Sequence, residues 1–145
     1  MAGNMIEFNT SSTRSVGAPV GRRLFSVDEA NHALPLVRRI LTDVVAQYRL
    51  VERFRKRRRR LAHENRLDEL KSTDAQGIEA ACRLADLLAE VTSIGCEVKD
   101  YERGCVDFPF LRNGREACLC WKLSEERVGH WHEQYAGDTG RRSID

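Results

Sequence analysis

Val37, Ile40, Leu41, Val44, Val45, Tyr48, Val51 and Phe54 recur along the chain at steps of one and three, the spacing that gathers apolar side chains on one face of an α-helix. Ser26 stands ahead of this stripe with Glu29 three residues on, the pattern in which a hydroxyl and a carboxylate cap a helix start reciprocally. Pro35 cannot donate the hydrogen bond that a helix interior needs, so a kink or break is expected there before the helix runs on to about residue 64. About 30 residues at 1.5 Å each make roughly 45 Å, longer than a domain of this size is wide. The long helix is therefore expected to project or to meet a second copy, and a homo-oligomer joined through it follows.

A second helix is expected over 74–94, with Ile78, Ala81, Cys82, Ala85, Leu88, Val91 and Ile94 inward and Gly95 ending it. The pair would form an antiparallel hairpin. The pattern then turns to short alternating runs over 96–101, 105–110 and 116–122, separated by turn residues at 102–104 and at Asn113-Gly114. A last helix is expected over 124–135. The fold class is thus α+β: a long antiparallel helical hairpin, a small three-stranded antiparallel sheet and a C-terminal helix. Residues 1–22 lack periodicity and are expected to be a flexible tail. Residues 23–145 then form a single domain, with the hairpin over 23–95 and a sheet-and-helix head over 96–145.

The Asn113-Gly114 turn sets a register in which Arg112 faces Arg115, Phe110 faces Ala117 and Phe108 faces Leu119. One face of the hairpin then carries Val106, Phe108, Phe110, Ala117, Leu119 and Trp121, which is core. The other carries Cys105, Asp107, Pro109, Cys118, Cys120 and Lys122, with Asp107 opposite Cys120. Chemistry is expected on this second face. Cys118 and Cys120 form a C-x-C pair without the second pair that zinc sites commonly use, so structural thiols are the expectation.

Composition narrows the setting. No apolar run approaches the roughly 20 residues of a bilayer span, and the first residues never build the apolar stretch of a secretory signal. Five cysteines, an odd number, do not form the even framework of a secreted disulfide scaffold. A cytoplasmic protein with reduced thiols is expected. The net charge is only +2, so any case for nucleic acid must rest on a local patch.

On the expected last helix, His130 and His132 point in different directions, because successive helical residues differ by about 100°. Val128, Trp131 and Tyr135 would face the core. Glu125, Gly129, His132 and Ala136 would form an adjoining stripe that leaves room for a ligand beside Glu125 and His132, while His130 would point away.

The segments Gly95-Cys96-Glu97-Val98-Lys99-Asp100, Gly104-Cys105-Val106-Asp107-Phe108-Pro109, Gly114-Arg115, Leu119-Cys120-Trp121, Trp131-His132-Glu133 and Gly140-Arg141 occur in this order. With Phe25-Ser26-Val27-Asp28-Glu29-Ala30-Asn31 and Leu34-Pro35, they resemble the domain of unknown function 2203 family over nearly all of the chain after the tail. The resemblance singles out Lys99, Asp100, Asp107, Arg115, Glu125, His132 and Arg141 as the polar motif positions. Asp107, Glu125 and His132 are candidate ligands for a divalent metal, while Lys99, Arg115 and Arg141 are candidate contacts for a carboxylate or phosphate. The competing account makes the same residues structural ion pairs between sheet and helix.

Arg53, Arg55, Lys56, Arg57, Arg58, Arg59 and Arg60 concentrate positive charge late in the long helix. The residues from Arg55 to Arg60 are the nucleic-acid candidates, since such a cluster contacts phosphates without sequence preference. Without aromatic residues interleaved, and with Glu69, Asp74, Glu79, Asp86 and Glu90 nearby, a solvated ion-pair network is the favoured reading. Three function classes remain: a metal- or small-anion-binding head, an oligomeric helical adaptor, and a non-specific nucleic-acid-associated protein.

Overall fold

The computed structural model describes residues 23–145; the expected tail over 1–22 lies outside the described residues. Helix α1 spans Val27–His63 and α2 spans Leu67–Ile94. The Ser26 hydroxyl accepts the Glu29 N–H at 3.0 Å, and the Ser26 N–H donates to the Glu29 carboxylate at 2.8 Å, so the start of α1 is capped from both sides as its sequence pattern requires. Pro35 lies inside α1 without dividing it. Asn65, at φ 59°, reverses the chain within a few residues. As a result α2 begins seven residues before the expected 74. Gly95, at φ 111°, ends it.

The buried side of α2 is the expected one at its C-terminal end, where Val91 is buried and Leu88 and Ile94 pack against the core, and differs before it. Thr73, Ala80, Leu87 and Val91 are buried, whereas Ile78, Ala81, Cys82 and Ala85 are exposed. The two faces lie side by side on the helix, and packing against α1 chose between them.

The sheet has five antiparallel strands rather than three: β1 (Glu97–Asp100), β2 (Cys105–Arg112), β3 (Arg115–Lys122), β4 (His130–Glu133) and β5 (Arg142–Ser143), in that spatial order. Asn113 and Gly114 both have positive φ, 52° and 78°, the signature of the tight hairpin turn whose twist suits its strands. The β2–β3 register is the expected one, with Phe108 opposite Leu119 and Asp107 opposite Cys120.

The expected helix over 124–135 is absent, and residues 123–129 form a connection whose carbonyls are captured from α1. Arg38 donates to the carbonyls of Leu123, Glu125 and Glu126, and Asn31 exchanges hydrogen bonds with Val128 in both directions. Trp121 Nε1 also donates to the Glu125 carbonyl, at 3.2 Å. With these groups satisfied by side chains, the local drive toward helix is lost, and His130-Trp131-His132 pairs along β3 instead.

The sheet's apolar face packs on the hairpin. Phe108, Leu119 and Trp121 are fully buried with Val37, Leu41 and Val44 of α1 and Val91 of α2. Phe25 is tied to β2 by its N–H to the Pro109 carbonyl at 2.7 Å and stacks edge-on against Phe108. Most of the α1 stripe, from Val37 to Val51, is covered within the chain itself.

A candidate metal centre on the polar face of the sheet

Strand geometry, not helix geometry, decides which histidine side chains share a face. Residues two apart on a strand point the same way, so His130 and His132 both face away from the core while Trp131 packs into it. His132 lies opposite Cys118, and His130 opposite Cys120. Asp107 stands on the same face from β2. Although this is the sheet's outer side, Cys105, Asp107, Cys120 and His132 are all buried, and the segment leading to β5 sends Arg141 across to Cys120.

Asp107 and His132 meet directly: Nε2 lies 3.0 Å from Oδ2, with each residue 4% exposed. The other ring nitrogen, Nδ1, is 2.7 Å from the Glu133 carbonyl oxygen. A carbonyl only accepts, so Nδ1 carries a proton; in the protonated ring Nε2–H donates to the carboxylate oxygen, and loss of that proton leaves the Nε2 lone pair facing it. The second carboxylate oxygen, Oδ1, is buried without a hydrogen-bond partner. Burial pushes the Asp107 carboxyl up, against the opposing pull of His132. For His132 burial works downward, but the Glu133 carbonyl and Asp107 outweigh it and raise the ring's affinity for a proton.

Around this pair the thiols form two overlapping groups. Asp107, Cys118 and His132 offer one ligand atom each within 4.8 Å of one another, and so do Cys105, Asp107 and Cys120. The Cys105 and Cys120 sulfurs are 3.6 Å apart. Arg141 Nε approaches the Cys120 sulfur at 3.4 Å, while its Nη2 bonds the Cys120 carbonyl and the Glu125 carboxylate. The Cys105 hydrogen bond, helped by Arg141 against the cost of burial, pulls the Cys120 thiol down to about 7.

The remaining sequence candidates separate. Glu125 takes the Lys122 N–H at 2.9 Å and the Arg141 guanidinium; burial would raise its pKa, but these partners hold it low. It reaches the Asp107–His132 pair only through Arg141 and Cys120, so the stripe that was to join it to His132 does not form. His130 Nδ1 lies 3.4 Å from Glu125 Oε2 without hydrogen-bond geometry. Arg141 is engaged by these partners through Nε and Nη2. Arg115 is exposed at the tip of the β2–β3 hairpin, opposite Arg112 and away from the site.

Lys99 does line the cavity of about 500 Å³ that opens over the pair, together with Asp100, Arg103, Lys122 and Tyr135. The cysteines are what sequence reasoning set aside. Their signal was the alternation Cys118-Leu119-Cys120 facing Asp107 in the hairpin register, but their partner His132 came from a strand read as helix.

A helical hairpin covering one face of a five-stranded meander, with a buried carboxylate–imidazole–thiol cluster on the other face, defines the class. The chain belongs to the family of uncharacterized conserved proteins DUF2203, whose model matches residues 23–144. No curated protein and no solved structure matches it. Among the described residues, no helix is long and apolar enough to cross a membrane.

Proposed function

We propose that this protein binds one divalent transition-metal ion through Asp107, Cys118 and His132. The observation that carries this reading is the convergence of one ligand atom each from Asp107, Cys118 and His132 within 4.8 Å of one another, with Nε2 and Oδ2 3.0 Å apart. With Nδ1–H committed to the Glu133 carbonyl, Nε2 and Oδ2 share a proton in the metal-free chain, and a metal ion would take its place. Zinc bonds of about 2.0–2.2 Å to nitrogen and oxygen place two ligand atoms roughly 3.0–3.4 Å apart at angles between square and tetrahedral. The Nδ1 hydrogen bond to a backbone carbonyl is the outer-shell support that metal-bound histidines commonly have. One nitrogen, one oxygen and one sulfur ligand suit zinc or a neighbouring transition metal, not calcium or magnesium, which take oxygen. Arg141 beside the Cys120 sulfur disfavours a second cation in the other group.

Metal analysis of protein purified under reducing conditions without an affinity tag tests this. About one equivalent of zinc, iron or a similar ion is expected, falling to near zero in Cys118→Ser. Failure of the reduced protein to take up zinc, cobalt or iron on dialysis would sink the reading.

A second reading draws on α1. Arg53, Lys56 and Arg60 lie at steps of three and four on its exposed surface, a row suited to phosphates in a flexible strand. Three of its neighbours are already engaged: Arg55 pairs with Glu52, Arg57 donates to Thr73 and Arg58 pairs with Asp74. Non-specific nucleic-acid binding is therefore the weaker of the two.

A further inference from the structure

Two of the proposed metal ligands, Asp107 and His132, line a cavity as buried residues, and exposed cations line it with them. Three protein ligands leave a zinc-type ion at least one open position, and a cavity of about 500 Å³ is of the size that holds a small metabolite. The irregularity in β1 decides what faces this opening. Between the Val98–Val106 and Asp100–Cys105 pairs β1 carries one extra residue, Lys99, and such a bulge re-aims side chains. Lys99 and Asp100 both line the cavity as a result.

The charge of Asp100 is turned away to the backbone, since its Oδ1 accepts the N–H groups of Glu102 and Arg103 at 2.9 and 3.0 Å. Lys99 is held by Glu97, at 3.1 Å in an exposed pair, an interaction that an incoming anion can displace at little cost. Arg103 completes the rim.

Building on the metal reading, we propose that this cavity is a receptor for a small oxyanion, a carboxylate or a phosphate, bound between the open position of the metal and the side chains of Lys99 and Arg103. Without metal the cavity floor offers an anion no ligand position, only the Asp107 carboxylate with its unpartnered Oδ1. A divalent ion held by the two negative ligands Asp107 and Cys118 leaves the floor no more negative and adds an open position for the anion's oxygen. Anion binding is therefore conditional on metal.

Cobalt-loaded protein, whose absorption reports the ligands of the ion, is titrated with inorganic phosphate and, separately, with acetate. A saturable spectral change is expected with at least one of them. Stronger binding of phosphate points to a phosphate ester as the natural ligand, and stronger binding of acetate to a carboxylate. Lys99→Gln and Arg103→Gln should each weaken binding by about tenfold, the worth of one charge-assisted hydrogen bond, while still holding one cobalt per chain. A chain holding one cobalt that responds to neither anion overturns the receptor and leaves the metal reading standing. Equal affinity in the two variants and the unaltered protein also overturns it. A chain that takes up no cobalt overturns both.

Discussion

His132 on β4 reaches Asp107 on β2 across the intervening strand β3, Nε2 to Oδ2 at 3.0 Å, although register aligns Asp107 with Cys120 and, through it, with His130. The contact is a diagonal that passes over Cys118 and Cys120. Level with Asp107, His130 turns instead toward Glu125. Which histidine joins the carboxylate is thus set by the neighbours on either side of β4.

Removing that histidine strands a buried carboxylate. In metal-free protein, His132→Ala should cost about 1–3 kcal/mol, the usual penalty for an unpaired buried polar group, whereas His130→Ala should cost less. Urea denaturation of both variants measures the difference, and equal costs would count against a special Asp107–His132 pair.

The pair also ties stability to pH. Asp107 and His132 both hold protons more tightly in the folded chain than their ordinary values of 3.8 and 6.5, so the folded state binds more protons and stability falls as pH rises. The share owed to His132 is fully present below pH 6.5 and is lost as pH climbs through its raised folded value. In metal-free protein, the stability gap between the unaltered chain and His132→Gln should shrink above pH 6.5. Zinc affinity should move the other way, since metal displaces the same proton. A gap that widens with pH would contradict the assignment.

Two buried thiols should differ sharply in reactivity. Cys120, pulled down to about 7 by the Cys105 hydrogen bond and Arg141, stands against Cys96, which burial pushes up to about 11. Since the thiolate is the reactive form, metal-free protein treated with a small alkylating agent at about pH 8 should be modified at Cys120 and spared at Cys96. Peptide mapping by mass spectrometry reads the ratio, and equal labelling would show that Cys105 and Arg141 do not support a thiolate at Cys120.

Gly104 sits at φ 87°, and a side-chain carbon there would lie 3.2 Å from Leu123 and Val45. Gly104→Ala should destabilise the head by about 1–2 kcal/mol through the backbone penalty alone, with crowding added. A thermal melt as high as that of the unaltered chain would mean that the turn can relax.

If the row on α1 binds nucleic acid, replacing Arg53, Lys56 and Arg60 together by Gln should flatten the salt dependence of binding. The slope on a single strand should fall by roughly 0.7 log units per log unit of salt for each phosphate that the helix no longer neutralises. An unchanged slope would remove the row as an interface.

Periodicity and turn chemistry were enough to read the hairpin of helices, the capping box at Ser26, the end of α2 at Gly95 and the full β2–β3 register, because each depends on residues near in sequence. The register in turn put Asp107 and the thiols on one polar face. What local pattern could not decide was the state of residues 124–135. There Glu125, Val128 and Trp131 fit a helix well enough, and the alternation of His130, Trp131 and His132 is too short to overrule it. Arg38 and Asn31, nearly a hundred residues earlier, took up the carbonyls and an N–H of the 123–129 connection, and Leu119 offered Trp131 a place on the apolar face. Sequence by itself determined the hairpins. Tertiary structure alone turned the last element into a strand, and so gave Asp107 and Cys118 a histidine partner.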